Sequence, residues 1–198
     1  MATPPLGDKS FDPCLRFDDG ADYETMMGRW SVLVAAPFLN WLALPQGLDW
    51  LDDGCGNGVF SEVLMSRQGP RSVVGADPSS AQLAFARQRP GAAGVRFIEG
   101  DAQALPLPNT CVDAAVMALV LFFLPDPARG LQEMLRVVRP GGTIAAYHWD
   151  MAHPRPCGGP ATTRCPGRYP NSGLARTGYR VVQAQVLKAF RTLRDCPL

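Results

Sequence analysis

Apolar and polar positions alternate in blocks along this chain, and between about residues 48 and 148 the blocks follow a regular order. Leu48–Asp52 (LDWLD) is a short apolar run that ends in glycines, which predicts a buried strand. Val59–Arg67 has helical spacing, and Ser72–Ala76 (SVVGA) is a second strand. Ser79–Arg89 predicts a second helix, opened by Ser79 and Gln82 as an S-x-x-Q capping box. Val95–Ile98 and Asp113–Leu119 are the third and fourth strands. Asp126–Pro127 supplies an N-cap and a first-turn proline for a helix to about Arg136. Pro140–Gly141–Gly142 punctuates before a fifth strand, Thr143–His148. Strands that are near-continuous apolar runs, alternating with helices, predict a doubly wound, mostly parallel α/β sheet covered on both faces. In such sheets ligands bind beyond the carboxyl ends of the strands, near the point where strand order reverses.

The flanks read differently. Residues 1–45 form a lead-in: Pro, Gly and Asp dominate the first twenty positions, and Tyr23–Leu44 suits one or two helices interrupted near Pro37. Residues 46–150 hold the alternating core. After residue 150 the alternation stops, and HPRPCGGPATTRCPGRYPNSGLARTG has no period. Val181–Leu193 is the one stretch there with helical amphipathicity, so a single helix near 180–194 is expected and no strand.

Charge sharpens that boundary. The 198 residues carry a formal net charge of +1, but residues 1–150 carry −6 and residues 151–198 carry +7. A balanced total argues against a highly charged disordered chain and gives no bias toward nucleic acid. The tail's basic residues are mostly arginine, a type suited to phosphate, yet few aromatics interleave with them, so nucleic acid is not the favoured partner. The longest apolar run, Ala114–Leu124, has 11 residues, too short to span a bilayer. The first residues lack a secretory layout, and six scattered cysteines then read as reduced thiols of the cytoplasm. No complete set of metal ligands is present.

The candidate chemistry lies just after the strands. The first runs into Asp52–Asp53–Gly54–Cys55–Gly56–Asn57–Gly58, where glycines let the backbone turn sharply and approach a ligand. The following helix would offer free N–H groups to polar ligand atoms. A dinucleotide fingerprint needs G-x-G-x-x-G; here the third glycine comes one residue early and Val59 holds its place. The spacing therefore favours a ligand without a pyrophosphate. Asp77 follows the second strand at the distance of a ribose-binding acid, with capping of the next helix as the plainer role. Asp101 follows the third strand, where its carboxylate could accept from an adenine amine and the Ala102 N–H could donate to a ring nitrogen.

WLDDGCGNG, VVGADPSS, FIEGDAQALPLP, DAAVMALVLFFLPD and LRVVRPGGTI, in this order over about residues 48–149, resemble the class I S-adenosylmethionine-dependent methyltransferases. The likeness is to the methyltransferase type 11, ubiquinone/menaquinone-biosynthesis-like group. It implies a Rossmann-like fold, S-adenosylmethionine as cofactor and a small-molecule methyl acceptor. It also implies roles: Gly54, Gly56 and Gly58 beneath the methionyl part, and Asp52 holding the loop and the cofactor's amino group. Asp77 would take the ribose, Asp101 and Ala102 adenine. Met117, with Ala118, would stand near the sulfonium, and Arg29 would meet the carboxylate. Asp53 stands where this family usually has an apolar residue. His148, at the end of the fifth strand, is the candidate general base, with lining of the pocket as its alternative. Family members usually continue with a helix and two antiparallel strands. The tail does not resemble these, so a truncated or frame-shifted product lacking the last strands is expected. Two further readings stay open: a cofactor-binding but inactive fragment, and an α/β nucleotide binder that is no methyltransferase.

Overall fold

The computed structural model describes residues 29–148 and 180–185. Helix α1 spans Arg29–Leu42, β1 Asp49–Asp53, α2 Val59–Gln68, β2 Ser72–Asp77, α3 Ser80–Ala86, β3 Val95–Glu99, β4 Val112–Ala118, α4 Pro127–Val137, β5 Val138–His148 and β6 Arg180–Gln185. Short 3-10 turns lie at Pro90–Ala92 and Leu121–Phe123. The six strands form one sheet in the order β3-β2-β1-β4-β5-β6, and every neighbouring pair is parallel. Strand order reverses between β1 and β4, so the carboxyl ends of those two strands flank the ligand-binding crevice such a sheet provides.

Side-chain alternation along β1 sorts the two cores. Trp50 packs on one face with α1 and α2, in a cluster with Phe38, Leu39, Phe60, Leu64 and Tyr147. Leu51 packs on the other face with Ala115, Met117, Met134 and Val137, under α4. Among the described residues no helix is long and apolar enough to cross a membrane.

Three expectations change. Helix α1 runs unbroken through Pro37, because Pro37 lies on the exposed side, where the carbonyl it leaves without a donor is open to water. Strand β5 starts at Val138 rather than Thr143. The Arg139–Gly142 stretch stays in the ladder as a bulge, with Val112 facing Val138 and Ala114 facing Thr143. Arg180–Gln185 is a strand, not the start of a helix, and it pairs with β5 from Thr143↔Arg180 to His148↔Gln185. Val181 and Val182 suit a pleated edge, and the open side of β5 supplies a ladder that outweighs a weak local helical period. Its direction is parallel, unlike the antiparallel strands the resemblance implied. The remaining tail positions of the expected helix lie outside the described residues.

Candidate active site

The cavity at the switch point is large, about 750 Å³, within the usual range of about 300–1,000 Å³ for small-molecule sites. Gly54 and Gly56 form its floor, Asp77 to Gln82 one wall, Asp101 to Gln103 the far end, and Ala118 to Val120 with Phe123 to Pro125 the opposite wall. Six of the expected residues thus come together: Gly54, Gly56, Asp77, Asp101, Ala102 and Ala118.

The glycine turn is built from β1 and tied down by β2. The N–H groups of Gly54 and Cys55 both donate to the Ala76 carbonyl, at 2.8 and 2.9 Å. Gly56 N–H donates to Asp77 Oδ2 at 2.8 Å, and Gly58 N–H to the Cys55 carbonyl at 2.9 Å. These four donors are spent inside the protein. Gly54 has φ +77°, and a Cβ there would lie 2.6 Å from one Val120 methyl carbon and nearer still to the other. Only glycine fits beneath Val120.

Asp77 is fixed from both sides. Oδ2 holds Gly56, and Oδ1 accepts from Ser79 N–H at 2.9 Å. Helix α3 is capped instead by Ser79, whose hydroxyl accepts from Gln82 N–H at 3.3 Å. Burial raises the Asp77 pKa above the ordinary carboxylate value, and the two backbone donors oppose that rise. Each carboxylate oxygen retains a lone pair for a further donor. Asp101 is exposed at the far end, its Oδ1 accepting from Gln103 N–H at 2.8 Å.

Three expected residues fall elsewhere. Asp52 is fully buried and turns toward α2, where Oδ2 accepts from the Ser61 hydroxyl at 2.6 Å. Its Oδ1 has no partner among the described residues, and desolvation raises the group's pKa to about 7. It lies behind the glycine turn rather than on the cavity wall. Met117 lies in the core, where strand alternation turns it against α4, and Ala118, expected beside it, reaches the cavity. Gly58 closes the turn at φ +81°, where a Cβ would sit 2.9 Å from the Ala86 Cβ. For Arg29 and His148 the backbone places the first residue of α1 and the last of β5; their side chains lie outside the described residues.

Sequence reasoning missed the wall after β4 and the struts behind the site. Leu119, Val120, Phe123 and Leu124 line the cavity, although looking just past the fourth strand would have found them. At the start of α4 and along it, a polar stripe at helical spacing holds the loop that follows Asp101. Asp126 N–H donates to Gln103 Oε1 at 2.9 Å, Arg129 Nε to the Gln103 carbonyl at 3.1 Å, and Leu105 N–H to Glu133 Oε2 at 2.9 Å. Arg136 donates to the Leu105 and Leu107 carbonyls at 2.9 and 2.7 Å.

Two features decide the ligand class. The turn spends its donors internally, and the charged side chains lining the cavity, among the described residues, are the carboxylates Asp77 and Asp101. No basic side chain among the described lining residues is there to pair with a pyrophosphate, whereas a cationic ligand with hydroxyl and amine donors meets these carboxylates. Residues 51–146 match the family model described as a methyltransferase domain. The match takes in 96 of the 198 residues, just under half of the chain, and agrees with the resemblance of its motifs to the class I S-adenosylmethionine-dependent methyltransferases.

Similar proteins carry the same domain. The chain is 42% identical over 99 residues to a malonyl-[acyl-carrier protein] O-methyltransferase of Pectobacterium atrosepticum, covering 50% of this chain and 38% of that protein. It is 36% identical over 119 residues to a 2-phytyl-1,4-naphtoquinone methyltransferase of Thermosynechococcus vestitus, covering 59% and 52%. It is 40% identical over 101 residues to a demethylmenaquinone methyltransferase of Thermus thermophilus, covering 50% and 46%. The chain thus spans about half or less of the length of these relatives. Among solved structures, a chain of the complex between the Haloferax volcanii Trm112 methyltransferase activator and a methyltransferase superposes with TM-score 0.58 at 25% identity, covering 65% of this chain and 59% of that one. A methyltransferase of Aquifex aeolicus superposes with TM-score 0.53 at 23% identity, covering 62% and 68%, a likeness of fold.

Proposed function

We propose that this chain transfers a methyl group from S-adenosylmethionine to a small-molecule acceptor by in-line displacement. The observation that carries the proposal is the cavity itself: a glycine floor and two carboxylates, with no basic side chain among its described lining residues, in a methyltransferase domain. When bound, S-adenosylmethionine supplies an activated methyl group together with its leaving group. The protein's own task is to orient the partners and exclude water.

Gly54 and Gly56 support the methionyl part at close range. Asp77, already oriented by Gly56 and Ser79, accepts from the ribose hydroxyls, while the Asp101 carboxylate and the Ala102 N–H hold adenine. Asp52, behind the turn with its Oδ1 unpartnered among the described residues, would hold the cofactor's ammonium through water. Arg29 would pair with the cofactor carboxylate. His148, at the carboxyl end of β5, would take a proton where the acceptor must lose one. The wall from Ala118 to Leu124 is apolar apart from backbone, which suits an acceptor that presents an apolar face. The free thiols Cys55 and Cys111 accord with a reducing, cytoplasmic setting.

Calorimetry with S-adenosylmethionine and with NAD tests the cofactor, and S-adenosylhomocysteine formed on a panel of phenolic and carboxylic acceptors tests turnover. Binding of S-adenosylmethionine but not NAD, with product formed on at least one acceptor, supports the proposal. NAD binding in its place refutes it. Cofactor binding with no turnover on any acceptor identifies a binding fragment.

A further inference from the structure

The glycine turn has a support that neither its own sequence nor the cofactor explains. Arg89 follows α3, the helix whose first turn lines the cavity. Its Nε donates to the Asn57 carbonyl at 2.6 Å, and its Nη1 pairs with Glu62 Oε2 at 3.0 Å. The guanidinium lies over the Phe85 ring, 5.6 Å from its centroid, and the side chain is only 13% exposed. Glu62, on α2, also accepts from Gly91 N–H at 3.2 Å through its other oxygen.

The peptide between Asn57 and Gly58 is therefore held at both ends. Its N–H reaches the Cys55 carbonyl, and its carbonyl reaches Arg89. That peptide sits in a left-handed turn closed by Gly58, a conformation open to a peptide flip. A buried charged donor on the carbonyl disfavours the flipped state. Arg89 also spans the two walls that must be in register. Gly54 and Gly56 lie on one side of Asn57, and α3, beginning at Ser79 and Ser80, lies on the other.

We infer that Arg89 is a positioning residue that locks the glycine turn against α3 and so sets the affinity of the cofactor site. Its effect on cofactor affinity rests on the methyltransferase reading; its effect on the turn does not. Removing one hydrogen bond to a charged group weakens such a lock by about tenfold or somewhat more.

The test uses the full chain with Arg89→Met, which keeps the stem over Phe85, and Arg89→Lys, which keeps the charge. Amide exchange is followed in residues 54–60 and in β1 and β4, and S-adenosylmethionine affinity is measured by calorimetry. In Arg89→Met, exchange in the turn should accelerate about tenfold while the strands stay protected, with cofactor affinity falling by a similar factor. Arg89→Lys should fall between that variant and the wild type in both readouts. Unchanged exchange in the turn, or equal acceleration in turn and strands, overturns the inference. If Arg89→Met does not fold, the lysine variant decides on the same criterion. A wild-type chain that fails to bind S-adenosylmethionine removes the proposed function, and the exchange measurement still decides the lock.

Discussion

Replacing Asp53 should stabilise the protein, most strongly at neutral and alkaline pH. Asp53 is 0% exposed, and neither carboxyl oxygen has a hydrogen-bond partner among the described residues. Burial, then the neighbouring carboxylates Asp52, Asp101, Asp77 and Glu133, push its pKa well above the ordinary value. Asp52 beside it is raised to about 7, mainly by desolvation. An acid whose pKa is raised on folding binds a proton in the native state that the unfolded chain has released. Its stabilising state is present below about pH 4 and is lost as pH rises through the folded value. Asp49, Asp113 and Glu133 are shifted the other way, so their influence is confined to more acid solution.

Between pH 5 and 7 the stability should therefore decline as pH rises, by about 1.4 kcal/mol per pH unit for each acid still protonated in the native state. Asp53→Asn removes one such acid with little change of shape, and the slope should drop by about that amount. Asp53→Leu also removes the orphaned polar atoms, and stability at pH 7 should rise by about 1–3 kcal/mol. Urea unfolding followed by tryptophan fluorescence, with the buried Trp50 as reporter, measures both at pH 5, 6, 7 and 8. An unchanged pH slope in Asp53→Asn, with the same m value, would refute the argument. So would a leucine variant less stable than the wild type at pH 7.

Asp77→Ala should weaken S-adenosylmethionine binding by about tenfold or more, because it removes the proposed ribose acceptor and also frees Gly56 and Ser79. Calorimetry measures this, and unchanged affinity would withdraw the ribose assignment. Gly54→Ala should destabilise the chain by about 1–3 kcal/mol through the clash with Val120 and the left-handed backbone. Adding Val120→Ala should return only the clash component in a double-mutant cycle, and purely additive losses would show that the two residues do not press on each other. At the amino ends of the strands, Arg71 and Arg139 hold Asp49 and Asp113, and both carboxyls lie below the ordinary range. That contribution is present above about pH 4 and is lost as pH falls. Arg139→Gln should shift the acid unfolding midpoint to higher pH, read by circular dichroism; an unmoved midpoint would show that the network adds nothing.

The strand–helix order was legible because it rests on local signals. Unbroken apolar runs marked β1 to β4, and Ser79 and Asp126 each occupy the cap position that their spacing indicated. The cavity acids were legible for a related reason, since residues that leave the carboxyl ends of parallel strands share one edge of the sheet. Gly54, Asp77 and Asp101 needed no more than that rule to be placed together.

What tertiary structure decided depends on partners distant in the chain. Met117 and Ala118 are neighbours that strand alternation sends to opposite faces, and the packing of α4 decides that the Met117 face is closed. Val181 and Val182 carry a weak helical period, yet the unpaired edge of β5 draws them into the sheet as a parallel strand. In the sequence Arg89 only ends an expected helix, and the fold alone brings it to the Asn57 carbonyl and Glu62, 32 and 27 residues away. The adjacent acids Asp52 and Asp53 are visible in sequence, but strand alternation sends one toward Ser61 and leaves the other without a partner. Periodicity and turn chemistry act over a few residues and can be read directly. Burial, pairing and pKa arise from contacts that exist only once the sheet has closed.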